Sequence, residues 1–138
     1  MLDVNKMALS LTRDIRIGLP AFHDFSGGDC SSFFYNHGKI TFWKRLKSYP
    51  DAIQAFKHIA EHPFMVIDED SPVFKVLERF VVVVYDSGSE AEDVNLCRLQ
   101  LFARKQDLDC IPPTKNALML HSKRSIYQTG KYVHSTVI

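Results

Sequence analysis

The spacing of apolar residues along the chain predicts helices rather than strands. In several segments, apolar side chains recur three and four positions apart, which places them on one face of an α-helix. The segments with this pattern are 3–11, 39–47, 50–61, 72–84, 94–104 and 114–129. We therefore predict an all-α fold of five or six helices, with residues 1–138 forming a single helical region.

Two helix starts carry recognisable signals, and one segment is ambiguous. Pro50 and Pro72 suit the first turn of a helix, and Ser71 is a good N-cap. The four valines at 81–84 favour a strand by propensity alone. The apolar series begins earlier, at Val73, and continues through the valines at helical spacing, so we predict a helix there.

Glycine and proline predict where other elements end. Gly18 and Pro20 are expected to separate a short apolar segment, 19–25, from a first helix capped by Asp3. Gly130 is expected to close the last helix. The other connections are predicted as a loop over 62–70, a turn over 86–90 and an extended link over 111–113.

Composition excludes several protein classes. With 138 residues, 46% of them hydrophobic and 24% charged, the chain has the size and composition of one globular domain. Its longest apolar run, Phe80 to Tyr85, is far shorter than the roughly 20 residues of a membrane span. Cys30, Cys97 and Cys110 lack metal-ligand spacing, so we expect free thiols in a reducing, intracellular compartment.

Charge is distributed unevenly along the chain. The formal net charge is +1, but residues 1–60 carry +3, residues 61–93 carry −7 and residues 94–138 carry +5. Two basic ends could contact a polyanion, because Lys and Arg neutralise phosphates and release counterions. The alternative is a solvated acidic loop between helices whose basic faces are simply exposed.

Histidine, cysteine and acidic residues give little sign of a catalytic site. His58 and His62 are four positions apart, as two metal ligands on a helix would be, but Pro63 follows them and a pair at a helix end is the preferred interpretation. Cys30 is expected to be a small buried thiol. The acidic run 68–70 is expected to be solvated rather than to hold a cation.

The stretch from 19 to 46 carries the most informative pattern. An apolar segment runs into a glycine turn bearing Asp29, and a helix rich in Lys and Arg follows. The N–H groups of the turn and the N-terminus of that helix could hold a phosphate, with lysines alongside. The alternative is a plain helical hairpin in which Phe42 and Trp43 pack.

Several separated blocks of the sequence resemble one family of proteins. The blocks are LPAFHDFSGGD at 19–29, SFF at 32–34, GK at 38–39, VNLCRLQLF at 94–102 and IPPTKNALMLHSKRSIYQTG at 111–130. They resemble uncharacterised, often transposon-associated animal proteins with a PIN/flap-endonuclease-like core. The resemblance implies a helix-two-turn-helix-like element at 19–47 and C-terminal helices at 71–130, with most of the family's α/β sheet absent from the chain.

The resemblance also implies roles for single residues. Asp29 matches a carboxylate of the nuclease metal site, which would bind Mg²⁺, while Gly38 and Lys39 match positions that face the DNA backbone. Lys44 and Arg45 follow on the same helix and are expected to join them in binding DNA. Two-metal cleavage needs several carboxylates, and most of the family's acids precede the matching region, so we expect this chain to be inactive as an enzyme on its own.

Three hypotheses follow. The first is a fragment or remnant of such a nuclease-like protein that binds the DNA backbone without sequence preference, with an intracellular, nuclear location. The second is a helical interaction or structural module without nucleic-acid affinity. The third, which we favour least, is a cation-dependent nuclease as it stands.

The last predicted helix carries one further pattern. Leu120, Arg124, Tyr127 and Lys131 fall at i, i+4, i+7 and i+11, which places them on one face. That face could meet nucleic acid through its cations and Tyr127, or it could dock on the sheet that the resemblance implies. The sequence favours neither alternative.

Overall fold

The protein is built from α-helices throughout its described part. The computed structural model describes residues 4–26, 39–62, 64–104 and 111–136. Over these ranges it has six helices and no strand, so the predicted all-α class is confirmed. None of these helices, as far as they are described, is long and apolar enough to cross a membrane. The helices are α1 (Val4–Ser26), α2 (Lys39–Lys47), α3 (Pro50–Glu61), α4 (Pro72–Tyr85), α5 (Val94–Ala103) and α6 (Lys115–Thr136).

Helix α4 lies at the centre of the fold. It packs against α2, α3, α5 and α6. Its fully buried side chains are Phe74, Leu77, Phe80, Val81 and Val82. The valine run is helical, as predicted, because the burial of these side chains outweighs the small helix-propensity cost of β-branched residues.

Helices α2 and α3 begin and end where the sequence predicts, with Pro50 in the first turn of α3. The apolar stripe predicted for α3 is buried and consists of Ala52, Ile53, Phe56 and Ile59. The ring of Phe80 meets that of Phe56 at 5.9 Å and that of Phe42 at 5.7 Å, both close to edge-on. One aromatic side chain of α4 thus joins both helices to the core.

The start of α4 differs from the prediction in one detail. Ser71 occupies the predicted N-cap position, but its side chain makes no hydrogen bond to the helix. The Oγ atom of Ser71 instead accepts a hydrogen bond from the N–H of Asp68 at 2.9 Å. The serine therefore stabilises the preceding acidic turn, whose carboxylates are exposed as expected.

Helix α1 corrects a larger prediction. It runs unbroken from Val4 to Ser26, although Gly18 and Pro20 are expected from the sequence to separate two segments. Gly18 lies in the contact with α3, where a Cβ atom would come within 2.8 Å of the backbone nitrogen of Lys57. The glycine therefore allows two helices to approach closely, and Pro20 costs α1 one backbone hydrogen bond without ending it. Asp3, the predicted cap, lies outside the described residues.

A polar contact supports the pairing of α1 with α3. Oδ2 of Asp14 accepts a hydrogen bond from Nε2 of Gln54 at 2.7 Å, and Oδ1 lies 3.1 Å from Nζ of Lys57. These two partners hold the pKa of Asp14 below its usual value. The contact lies at the solvent edge of the helix pair, so it orients the helices more than it stabilises them.

Helix α5 has the predicted apolar stripe with one exception. Asp93 caps its first turn, and Val94, Cys97 and Leu101 are buried. The apolar spacing of the segment 94–104 also places Phe102 on this stripe, but its side chain is 67% exposed. It lies about 100° around the helix from Leu101, outside the narrow arc that α5 turns toward the core.

Helix α6 is longer than predicted. Its first turn is capped by Thr114, whose Oγ1 accepts a hydrogen bond from the N–H of Ala117 at 3.2 Å. The predicted end, Gly130, is buried within the helix, which continues to Thr136. This glycine is a small packing residue and does not form the turn that ends many helices at glycine.

Candidate nucleic-acid interface

The structure describes part of the predicted phosphate-binding element. Asp29 and Gly38 lie outside the described residues, as does the rest of the glycine turn. Lys39 is the first residue of α2, but its side chain is not among those described. The described parts of the element are therefore residues 19–26 at the end of α1 and helix α2, with side chains from Thr41 onwards that include Lys44 and Arg45.

Helix α2 separates its apolar residues from its basic ones. Phe42 and Leu46 are buried in the core, whereas Lys44 and Lys47 are exposed and Arg45 is half-buried. Lys47 is not one of the residues predicted to bind DNA, although its spacing of three from Lys44 places both on one side of the helix. We refer to Lys44 and Lys47 as the basic pair of α2.

The single tryptophan of the chain links the basic pair to α1. The ring centroid of Trp43 lies 5.9 Å from that of Phe22 in α1, and Nζ of Lys47 lies 5.1 Å from the Trp43 ring centroid. A cation over an aromatic face is attracted by the charge distribution of the ring. Phe42 and Trp43 both pack, as the hairpin alternative expects, while the lysines stay at the surface.

The charge of α2 has no acidic counterpart in the described part of the chain. The helix contains four Lys or Arg residues and no Asp or Glu. None of the ion pairs among the described residues involves Lys44, Arg45 or Lys47. These three residues lie in the last turn, where they also stabilise the negative end of the helix dipole. The charges of Lys44 and Lys47 are therefore exposed to solvent, as binding of a polyanion requires.

The end of α1 that leads toward the predicted glycine turn is held by α6. Nε2 of His121 lies 2.6 Å from the carbonyl oxygen of Phe25, and Oγ of Ser125 lies 3.3 Å from the carbonyl oxygen of Asp24. Oγ1 of Thr129 lies 2.9 Å from the carboxylate of Asp24. The last carbonyl groups of a helix have no partner within it, so His121 caps α1. Ser125 shares its one hydroxyl proton between Asp24 and the carbonyl oxygen of His121, at 2.9 Å, and Thr129 holds the side chain of Asp24.

His121 is electrostatically suited to this contact as a neutral ring. Burial is the main reason why the pKa of His121 is lowered, the charge of Arg124 acts in the same direction, and the hydrogen bond to Phe25 opposes both. The ring also packs on Phe25, with the centroids 5.4 Å apart. A neutral imidazole with its proton on Nε2 satisfies the Phe25 carbonyl without placing a charge near Arg124.

No role for His121, Ser125 or Thr129 follows from the sequence reasoning above. Their spacing of four and eight residues places three hydrogen-bonding side chains on one face of α6, and that regularity is the signal that could have found them. Phe22 contacts α2, Phe25 contacts α6, and both rings contact Phe56 of α3, so the end of α1 packs against all three helices.

A second polar cluster joins α4, α5 and α6. Glu78 is 4% exposed, accepts a hydrogen bond from the N–H of Val94 at 3.1 Å and lies 3.6 Å from Nζ of Lys115. Lys115 also pairs with Asp93 at 2.7 Å. Burial raises the pKa of Glu78, and the hydrogen bond to Asp93 raises that of Lys115. Both carboxylates have partners, so the cluster links helices rather than offering a reactive group.

The described residues bring no set of metal ligands together: none of them form a group of three or more His, Cys, Asp or Glu that could hold a metal ion. The rings of His58 and His62 stack at 4.3 Å, and Nδ1 of His62 lies 3.1 Å from the carbonyl oxygen of His58 at the end of α3. Burial raises the pKa of Cys97 to about 11, so this thiol is unreactive at neutral pH. Cys30 and Cys110 lie outside the described residues.

Comparison of the chain with models of protein families, with curated proteins and with solved structures finds no match. The interface on α2 is therefore interpreted from its own chemistry.

Proposed function

We propose that this protein binds the sugar–phosphate backbone of DNA without sequence preference. The contact is made by the basic pair of α2, Lys44 and Lys47, with Arg45 beside it, and the family resemblance adds Gly38 and Lys39. The observation that carries the proposal is the charge of α2, which has four basic residues, no acidic residue and no ion pair to its described cations elsewhere in the described chain. The family resemblance supports the same function and implies a nuclear location.

The chemistry of α2 favours the backbone over the bases. A lysine ammonium binds phosphate as a point charge, whereas base edges are read by forked groups such as those of Arg, Asn and Gln. The exposed side of α2 presents Lys44 and Lys47, and Arg45 is half-buried. The affinity of such a contact depends on the salt concentration rather than on the base sequence of the DNA.

The proposal treats the chain as a fragment or remnant of a nuclease-like protein. It assigns no cleavage activity to the chain on its own. Two-metal hydrolysis of a phosphodiester needs a cluster of carboxylates, and the resemblance matches one, Asp29. Incubating DNA with the protein and Mg²⁺ or Mn²⁺ tests this part. Cleavage that disappears in Asp29→Ala would show that the chain is a nuclease as it stands.

Binding is tested by fluorescence anisotropy of labelled duplex and branched DNA between about 50 and 200 mM salt. We expect binding at low salt, with similar affinity for unrelated sequences. In Lys44→Ala/Lys47→Ala, loss of two phosphate contacts should make the slope of log K against log salt shallower by about 1.8. Emission from Trp43, which lies under Lys47, provides a second, label-free signal.

The matched control removes two exposed cations from other helices. Lys75 of α4 and Arg104 at the end of α5 are both exposed, so Lys75→Ala/Arg104→Ala changes the net charge by the same amount. This control should leave the salt slope close to that of the unmodified protein. Absence of binding at low salt, or equal slopes for the two double variants, would overturn the proposal.

A protein-interaction module is the second candidate, and α5 favours it. Leu96, Leu99 and Phe102 are exposed along this helix, and a shallow hollow of about 410 Å³ lies between Leu99, Phe102 and Ile111. Exposed apolar residues that share a helix face are typical of protein-binding surfaces. This candidate predicts no DNA binding at low salt, together with self-association in sedimentation that Leu99→Ser/Phe102→Ser abolishes.

A further inference from the structure

The outer face of α6 has a composition different from that of α2. This face consists of Leu120, Lys123, Arg124 and Tyr127, at i, i+3, i+4 and i+7. Leu120 is 56% and Tyr127 is 64% exposed, and both cations are exposed as well. The opposite face of the helix is buried and carries the side chains that hold α1. Two cations therefore lie at the surface between an aliphatic side chain and an aromatic ring.

The charge of α6 favours an anionic occupant. The helix has four Lys or Arg residues and no Asp or Glu. Lys115 is engaged with Asp93 and Glu78, whereas none of the ion pairs among the described residues involves Lys123 or Arg124. Tyr and Arg are also frequent in interfaces between proteins, so the excess of positive charge is what favours a polyanion on this face.

The exposed ring of Tyr127 indicates which kind of nucleic acid this face would bind. In a duplex the flat faces of the bases are covered by their neighbours, and a surface ring meets mainly the backbone. In a single strand the bases are free to stack on a tyrosine, and basic side chains nearby hold the phosphates. Leu120 and Tyr127 are separated by about 10 Å along the helix axis, as the rise of 1.5 Å per residue dictates, and the two cations lie between them in sequence.

We propose that the outer face of α6 is a binding site for single-stranded nucleic acid. An unpaired base stacks on the ring of Tyr127, with Leu120 as a second apolar contact, while Lys123 and Arg124 bind the backbone phosphates between these two contacts. The site is separate from α2, so it goes beyond duplex binding and does not depend on it. Of the two alternatives that the sequence leaves open for this helix, the proposal adopts nucleic acid.

The test measures the anisotropy of labelled oligo-dT and oligo-rU strands, with an abasic strand of the same length as the probe that has phosphates but no bases. We expect the abasic strand to bind several-fold more weakly than oligo-dT. Tyr127→Ala should weaken oligo-dT binding roughly tenfold, which is about 1.4 kcal/mol. Tyr127→Phe keeps the ring and should bind like the unmodified protein.

Two further variants separate stacking from charge and from general surface effects. Lys123→Ala/Arg124→Ala should make the salt slope for oligo-dT shallower by about 1.4, since single strands release about 0.7 counterion per contact. Phe64→Ala, which removes an exposed aromatic side chain from the loop between α3 and α4, should leave oligo-dT binding unchanged. We expect each variant to keep the fold, because all the substituted side chains are at the surface. Thermal melting of each variant checks this.

The outcomes distinguish this site from that on α2. Loss of duplex binding in Lys44→Ala/Lys47→Ala, with oligo-dT binding kept, supports two separate sites. If duplex DNA does not bind but Tyr127→Ala still weakens oligo-dT binding, the function proposed for α2 fails and the α6 site stands. The α6 site is overturned if Tyr127→Ala binds oligo-dT normally, or if the abasic strand binds as well as oligo-dT. Either result would show that no base stacks on Tyr127.

Discussion

Nε2 of His121 lies 2.6 Å from the carbonyl oxygen of Phe25, and the two rings pack 5.4 Å apart, although 96 positions separate the residues in sequence. The contact joins the second turn of α6 to the last turn of α1. It satisfies a carbonyl group that has no partner within its own helix. One imidazole thus caps α1 and fills part of the space between two helices.

The protonation of His121 should make stability depend on pH. Its pKa is lowered in the folded protein, chiefly by burial, so the folded state binds a proton less readily than the unfolded chain. The contribution of this residue is therefore complete above the ordinary histidine pKa of about 6.5, and it is lost as the pH falls through the lower folded value. Urea unfolding at a series of pH values measures the effect.

The comparison variant is His121→Gln, which keeps a hydrogen-bond donor but does not titrate. It should lower stability at pH 7, and the difference from the unmodified protein should shrink as the pH falls below about 6.5. A difference that stays constant from neutral to acidic pH would mean that His121 does not hold α1 as a neutral ring.

Gly18→Ala should destabilise the protein by about 1–3 kcal/mol. A Cβ atom there would lie 2.8 Å from the backbone nitrogen of Lys57 and 3.0 Å from the backbone of Phe56, so α1 and α3 would have to move apart. In an exposed helix the same change would stabilise by about 1 kcal/mol. Thermal melting therefore distinguishes the two roles of this glycine by the sign of the change.

Gly88→Ala is the matched control for this substitution. A Cβ atom at Gly88 would meet nothing closer than the Asp86 carboxylate at 3.9 Å, and the free energy of unfolding should change by less than about 0.5 kcal/mol. If Gly18→Ala melts like Gly88→Ala, the close approach of α1 and α3 is wrong.

Lys115→Met should cost about 1–3 kcal/mol at pH 7. The change leaves the buried carboxylate of Glu78 without its cation, and the pKa of Glu78 is already raised by burial. The loss should become smaller in acid, where Glu78 takes up a proton and needs no counter-charge. Lys123→Met, at an exposed position of the same helix, should stay within about 0.5 kcal/mol of the unmodified protein; similar losses for the two lysines would contradict a structural role for the cluster.

Two neighbouring residues of α5 should respond very differently to truncation. Leu101 is buried and Phe102 is 67% exposed, so Leu101→Ala should cost about 2–4 kcal/mol and Phe102→Ala less than about 0.5 kcal/mol. Denaturant unfolding measures both. A larger loss at Phe102 would mean that its ring is covered, as the apolar pattern of the sequence suggests.

Hydrophobic periodicity predicts the helices that have one clear buried face or a strong start signal. The bounds of α2 and α3 and the helical state of the valines in α4 all follow from it. It fails where a residue has a local preference that packing overrides. Gly18, Pro20 and Gly130 all favour a break in an isolated peptide, yet each lies within a helix.

In the candidate interfaces, too, some residues are predictable from local sequence and others only from the packing of the helices. Lys44 and Arg45 are found from sequence because a basic helix after a glycine turn is a local pattern. Lys47 requires knowledge of which side of α2 is exposed, and the contact of His121 with Phe25 requires knowledge of which helices meet. The DNA-binding role of α2 and the positions of Asp29 and Gly38 stay predictions.

The sequence by itself determines that this protein is helical and where most of its helices lie, since the period of the apolar residues and the capping signals are properties of neighbouring residues. It also determines that α2 and α6 are basic and lack acidic residues. Only the tertiary structure decides that Gly18 joins α1 to α3, that His121 holds the end of α1 and that Tyr127 is exposed while Leu118 is buried. The physical reason is that burial and close contact depend on residues far apart in the chain, whose meeting no local preference specifies.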